Sequence, residues 1–261
     1  MDGTDGAPVS AEGLGLRGPR GWVFRGVGFD AEPGTLIAVE GPSGSGRSCL
    51  LLALTGRMRT TEGHAEVGGH RLPGKLAAVR RISALGPVPG VSELDPALTV
   101  AEHLRERALL LRRFAGPPRA LLRPRRERAA GARARIDAAL DAAGLDTGAL
   151  PKAERTAVRD LERLESLRLS VALALIGRPR LLAVDDTDLG LSPTGRAEAW
   201  ELLRSVAATG TTVLAVCTEA PDDALTVRTT TVRTTTARTA VPGAGDAQEG
   251  AEHAFAETGR A

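Results

Sequence analysis

The sequence predicts an α/β fold, a parallel sheet of buried strands alternating with helices, and three observations carry that prediction. The octapeptide GPSGSGRS (41–48) follows the apolar run GTLIAVE (34–40) and precedes the apolar CLLLALTGR, so a glycine-rich loop joins a strand to a helix. A second apolar run, RLLAVDD (180–186), ends in two aspartates and so sets carboxylates at the carboxyl end of a buried strand. A third, TTVLAVC (211–217), has the same character, and helical spacing fills the stretches between them.

The elements follow in chain order. MDGTDGAPVSAEGLG has neither a basic start nor an apolar core, so it does not read as a signal peptide, and residues 1–14 are expected to be disordered. EVGGHRLPG reads as a hairpin at an edge. LTVAEHLRERALLLRRF (98–114) and RRERAAGARARIDAALDAAGLD (125–146) have helical spacing, and ERTAVRDLERLESLRLSVALALIGRP reads as a further helix running into the strand at 180. SPTGRAEAWELLRSVAATG carries its own punctuation, with Ser192 as N-cap, Pro193 in the first turn and Gly210 as the stop. The repeated TVRTTTVRTTTARTA (226–240) suits exposed or edge strands closing the sheet, and residues 241–261 are expected to be a disordered tail.

Composition limits what the chain does. A hydrophobic share of 42% supplies a core, and with aromatics at 2% that core is built from Leu, Val and Ala. Thirty-four basic residues against 32 acidic ones argue against a general nucleic-acid binder. Cys49 and Cys217 stand apart, each in an apolar stretch, which fits a reduced, cytosolic chain with Cys217 as a small buried hydrophobe. No apolar run approaches the ~18–20 residues that span a bilayer, so a membrane role would come through a partner.

The loop at 41–48 matches the phosphate-binding pattern G-x-x-x-x-G-K-[ST] except that Arg47 stands in the lysine's place. Gly41, Ser43, Gly44, Gly46, Arg47, Ser48 and Cys49 are the candidate nucleotide contacts, with Ser48 and Asp185 as candidate ligands of Mg²⁺. The plainer alternative is a loop that merely turns strand into helix. Arginine keeps the charge of lysine, but its planar fork does not occupy the same narrow slot between phosphates.

Taken in order, EPGTLIAVEGPSGSGRSCLLLALTGR, LTVAEHL, SVALALIGRPRLLAVDD, LGLSP and TTVLAVCTEAPDDA resemble the ATP-binding cassette ATPases, the nucleotide-binding subunits of ABC transporters, over about residues 22–225. The resemblance implies a P-loop NTPase with a RecA-like core, an antiparallel β subdomain and an inserted α-helical subdomain. The domain would span 15–240 and the insert about 91–160. It also implies ATP and Mg²⁺ as cofactors, and a membrane-spanning permease as partner. Pairing would be with a like or unlike cassette, location peripheral at the cytoplasmic face of the membrane, and no specific nucleic acid would be bound.

The same resemblance places the family's motifs on altered residues. The catalytic glutamate falls at Asp186, one methylene shorter, and the switch histidine at Thr218; these are the candidate catalytic positions. The metal- and water-binding glutamine falls near Pro87, where the sequence has none. The signature L-S-G-G-Q, which grips the γ-phosphate on the opposite subunit, falls on LERLE (161–165), read here as part of a charged, solvent-facing helix. A slow or inactive ATPase is the expectation, with a non-catalytic cassette-like scaffold as the alternative; a different phosphate-loop enzyme leaves ALIGRPRLL and Gly190-Leu191 without a reason. His64 and His70 read as surface histidines. Trp22 is open between base stacking and a core role. The eleven arginines between Arg105 and Arg135 are open between a solvated helix face and a docking surface for an acidic partner or anionic lipid.

Overall fold

The computed structural model describes residues 6–114 and 125–229. Nine strands and six α-helices follow in order among them. They are β1 (Val9–Gly18), β2 (Gly21–Ala31), β3 (Leu36–Glu40), α1 (Arg47–Leu54), β4 (Glu62–Val67), β5 (His70–Leu72), α2 (Leu76–Ile82), β6 (Ser83–Leu85), α3 (Val100–Phe114), α4 (Arg125–Ala142), α5 (Arg163–Leu175), β7 (Leu181–Val184), α6 (Pro193–Ala208), β8 (Thr212–Cys217) and β9 (Leu225–Arg228).

Two sheets result. β6, β7, β8, β3 and β9 form a parallel sheet in that order, and β2, β1, β4 and β5 form an antiparallel one. The central strands β3, β7 and β8 are almost wholly apolar because both of their faces are covered. Alternate side chains enter different cores: Ala38, Leu182, Val184, Val213 and Ala215 pack with α3 to α6, whereas Ile37, Val39, Leu181, Leu214 and Val216 pack with α1 and the antiparallel sheet. The central sheet is thereby clamped between a helical layer and a mixed layer. Its carboxyl edge, where β3, β7 and β8 end, is the place where an open α/β sheet offers a crevice.

Several local expectations hold. Ser192 caps α6 by accepting the Gly195 amide at 3.1 Å, with Pro193 following. Gly68 and Gly69, both at positive φ, turn the β4–β5 hairpin. β9 is an edge strand beside β3, as the start of the Thr/Arg run suggested; most of that run and residues 241–261 lie outside the described residues.

Two expectations need correction. Residues 9–14, read as disordered, form the first half of β1: Val9, Ala11 and Leu14 are buried, and β1 pairs with both β2 and β4. The stretch 154–175 is not one helix. Two short 3₁₀ turns at 153–155 and 158–160 are followed by extended Leu161 and Glu162, and α5 begins only at Arg163.

Candidate nucleotide site

Gly46 opens α1 in the left-handed region (φ 86°), and Gly44 does the same in the loop before it (φ 79°). The reason for glycine differs at the two positions. A Cβ at Gly44 would meet open space, whereas one at Gly46 would lie 2.8 Å from both Cγ1 and the carbonyl oxygen of Val23 on β2. At Gly41 a Cβ would lie 2.6 Å from the Thr229 carbonyl and 2.7 Å from Ser45 Oγ. The loop is therefore pressed between β2 and the end of β9, and only glycine lets its backbone pass.

Ser45, which the motif leaves unspecified, holds the loop down. It is fully buried, and its hydroxyl pairs with Thr229 Oγ1 at 2.7 Å, while the Thr229 amide donates to Glu40 at 2.9 Å. With a sequence separation of 184 between the two residues, no local pattern announces the contact.

Asp185 sits just past β7 and is 2% exposed. Burial pushes its carboxyl above the ordinary range, and the neighbouring Asp186 charge adds to that. The Ser48 side chain, the Asp186 amide (2.9 Å) and the Arg47 charge act the other way, favouring the ionised form. The backbone amide of Asp185 donates to the Pro87 carbonyl at 2.9 Å, so the position where the resemblance sought a glutamine ties a loop to the end of β7. Ser48 and Asp185 thus meet, as the sequence expected. Two hard oxygen donors, one a carboxylate, suit Mg²⁺, which is commonly held by one or two protein oxygens together with phosphate.

Arg47 does not point freely into the loop. Its guanidinium donates to the carbonyl of Cys217 at the end of β8. Thr218, the next residue, has its amide held by the Asp188 carboxylate at 2.8 Å. The ends of β7 and β8 and the start of α1 are therefore cross-linked by Arg47 and Asp188, and Asp188 is a residue the sequence reading did not single out. Asp186 is half-buried with a left-handed backbone (φ 48°). Its place one residue beyond Asp185 brings it to the same sheet edge, and its charge acts on the Asp185 carboxyl.

Ser43 is exposed on the loop and Cys49 lies half-buried in the first turn of α1. Burial, with the Asp185 charge, pushes the Cys49 thiol up. Cys217 is fully buried, its thiol is pushed up to about 12 by desolvation, and it behaves as the small hydrophobe the sequence suggested.

Trp22 is not part of the core. Its ring is half-exposed, flanked by the guanidiniums of Arg25 at 4.5 Å and Arg17 at 5.7 Å, and the residue that lies over the loop is Val23. His64 lies 3.4 Å from Glu12, and among the described residues there is no cluster of metal-binding side chains. Among the arginines of the helical layer, Arg107 is not solvated: its Nε donates to the Leu173 carbonyl at 3.0 Å, and burial lowers its pKa.

A cradle of left-handed glycines, a buried acid and a serine at a sheet edge is compatible with many phosphate-binding folds, and comparison decides among them. The family model for ABC transporters matches residues 24–188. The chain belongs to the ABC transporter family. This cassette is 33% identical over 213 residues to the Nod factor export ATP-binding protein I of Ralstonia nicotianae, covering 81% of this chain and 60% of that protein. It is 35% identical over 191 residues to the daunorubicin resistance ATP-binding protein DrrA3 of Streptomyces coeruleorubidus, covering 72% and 53%. The cassette thus spans a little over half the length of these curated relatives.

Among solved structures, it superposes on a dimeric ATP-binding cassette in a post-hydrolysis state with ADP and phosphate (TM-score 0.61, 21% identity, 81% of this chain and 88% of that one). It also superposes on a bacterial Atm1-family ABC exporter with ATP bound (TM-score 0.60, 21% identity, 81% and 34%). These similarities establish the fold as that of the ABC ATPase, a P-loop NTPase.

Proposed function

We propose that this chain is the ATP-binding subunit of an ABC-type transporter, that it holds ATP with Mg²⁺ on the loop amides of residues 44–48, and that it hydrolyses ATP slowly or not at all. The observation carrying the reading is the contrast within one crevice. Gly44 and Gly46 are left-handed and Ser48 lies beside Asp185, while aspartate and threonine stand at 186 and 218, where the resemblance puts glutamate and histidine. Mg²⁺, held by Ser48 and Asp185, would supply positive charge to screen the phosphates.

The protein's own residues set the limits. Arg47 must leave the Cys217 carbonyl, or share itself with it, to touch a phosphate, so part of its contact energy is spent on that exchange. Asp186 is one methylene shorter than glutamate, about 1 Å less reach toward a water, and a general base acts within hydrogen-bond distance. Thr218 offers one hydroxyl and no imidazole.

The partner side of the proposal has a candidate surface. A cavity of about 170 Å³ lies between the end of β6 and helices α3 and α5, lined by both apolar and charged side chains, among them Leu85, Leu94, Glu93, Glu106, Arg107 and Leu173, with Leu109 and Leu110 exposed on α3. A segment of a membrane-spanning permease seated there would place the chain at the cytoplasmic face of the membrane. Residues of about 91–160 would then form the inserted helical subdomain. Among the described residues no helix is long and apolar enough to cross a membrane, so attachment would run through such a partner.

The Arg47–Cys217 contact favours a second reading, a cassette-like scaffold in which nucleotide is optional. Calorimetry with millimolar ATP and Mg²⁺ separates the two: weak but saturable heat is expected, and no heat together with no thermal shift would establish the scaffold.

A further inference from the structure

Two charged side chains grip one peptide group. At the end of β8 the Cys217 carbonyl accepts from the Arg47 guanidinium, and the Thr218 amide, the other half of the same peptide bond, donates to the Asp188 carboxylate at 2.8 Å. A cation at the oxygen and an anion at the N–H polarise that peptide in the same sense, so each strengthens the bond the other makes. Arg47 and Asp188 therefore act as an ion pair joined through a peptide. The frame around it is fixed. The Thr187 amide donates to the Val216 carbonyl at 3.0 Å, so residues 187 and 188 are both tied to the end of β8. Cys217 is fully buried, and Arg47 and Asp188 are half-buried. Desolvation raises the Cys217 thiol most; the charges of Asp188 and Glu40 add to it and that of Arg47 opposes them, so all three act at this one residue.

From this we infer that Asp188 is the positioning residue that keeps Arg47 on β8 and off the phosphates, and so sets the affinity of the crevice for a nucleoside triphosphate. The inference deepens the ATP-binding reading above and rests on it. An arginine that turns to a phosphate must leave the Cys217 carbonyl, and the Asp188 charge makes that carbonyl the better competitor. The departure also weakens the Thr218–Asp188 bond, so the exchange disfavours nucleotide twice. Neighbouring carboxylates do not fill this role. The Arg47 charge reaches Asp185, but that side chain is engaged by Ser48 and the Asp186 amide, and Glu40 is paired with Arg228 at 2.9 Å. A ligand gains from this arrangement only by what it offers Arg47 beyond what the polarised peptide already gives.

The test is a double-mutant cycle in the full chain, with binding of ATP and Mg²⁺ read by calorimetry. Asp188→Asn keeps a side-chain oxygen for the Thr218 amide and removes the charge. It is expected to tighten binding by at least about threefold, the gap between a charged and a neutral acceptor. Asp188→Ser, a second neutral acceptor, is expected to shift the affinity in the same direction, whereas Asp188→Glu, which keeps the charge, stays within about twofold of the unaltered chain. In an Arg47→Ala chain, which still offers the loop amides and the metal ligands, Asp188→Asn is expected to change binding by no more than about twofold, since no guanidinium remains to be released. A merely structural Asp188 would show neither the tightening nor its dependence on Arg47. Unchanged or weaker binding in both neutral variants would overturn the inference. So would equal tightening in the Arg47→Ala chain, which would set the Asp188 charge directly against the phosphates. Loss of all binding on Arg47→Ala alone would overturn it too, because Arg47 would then already serve the phosphates. Failure of every chain, the unaltered one included, to bind ATP would overturn the ATP-binding reading, and this inference with it.

Discussion

Replacing Asp185 by asparagine is expected to weaken Mg²⁺-dependent ATP binding by at least about tenfold, one charge-assisted contact, while raising the thermal midpoint of the nucleotide-free protein. The two effects share a cause. Asp185 is buried, and burial raises its folded-state pKa above that of the unfolded chain. A carboxylate shifted in that direction costs nothing below the ordinary carboxylate range and destabilises in full once the pH exceeds the raised value, because the folded state then carries a charge that it holds less readily than the unfolded chain does. Asparagine keeps the volume and keeps an oxygen for the Asp186 amide, so the cost disappears and the packing stays. The function disappears too, since a neutral amide is a poor ligand for a hard divalent cation. Thermal melts with and without ATP and Mg²⁺ separate the two effects. An unchanged shift on adding ATP and Mg²⁺ would show that Asp185 does not serve the metal.

Gly46→Ala is expected to be the most damaging single change in the loop, lowering stability by about 2–4 kcal/mol and abolishing measurable ATP binding. A left-handed non-glycine residue costs about 1–2 kcal/mol by itself. Here the new methyl would also lie 2.8 Å from the Val23 carbonyl, and β2 is paired along its length to β1 and does not yield easily. Val23→Ala in the same chain removes the Cγ1 contact but leaves the carbonyl contact, so rescue is partial. Gly44→Ala supplies the control: its φ is nearly the same, nothing lies within 4 Å, and only the backbone cost of about 1–2 kcal/mol should appear. Equal melting curves for the two alanine variants would contradict the close approach of Val23.

The contrast between these glycines shows what the sequence could and could not announce. The loop was legible because its glycines, serine and flanking apolar runs are contiguous and their spacing has one main physical use. The acid at 185 was legible because an apolar run ends on it. Ser45 was not, since its partner Thr229 comes from β9 at the far end of the described chain. Asp188 was not, because its role is to receive an amide from the end of another strand. The first strand was hidden by glycines that dilute its alternation, by the register shifts in its hairpin with β2, and by its second edge being satisfied only by the distant β4. At LERLE the local reading gave a charged helix, and the register was missed for a specific reason: a glutamate as N-cap is not the residue that usually marks a helix start, so Glu162-x-x-Glu165 did not read as a boundary. Trp22 was placed by cation–π neighbours that alternation along a strand does not encode.

Single-turnover hydrolysis, with the purified chain in excess over radiolabelled ATP and Mg²⁺, tests the central claim most directly, because it reads chemistry on bound nucleotide without depending on product release. The account predicts that ATP becomes bound and stays largely intact, with phosphate formed far more slowly than the roughly 1–10³ s⁻¹ of ordinary enzymes. It further predicts that Arg47→Lys tightens binding without bringing the rate into that range, since Asp186 and Thr218 are unchanged. Phosphate release from the unaltered chain at tens per second would contradict the claim that this crevice binds ATP without the means to cleave it quickly.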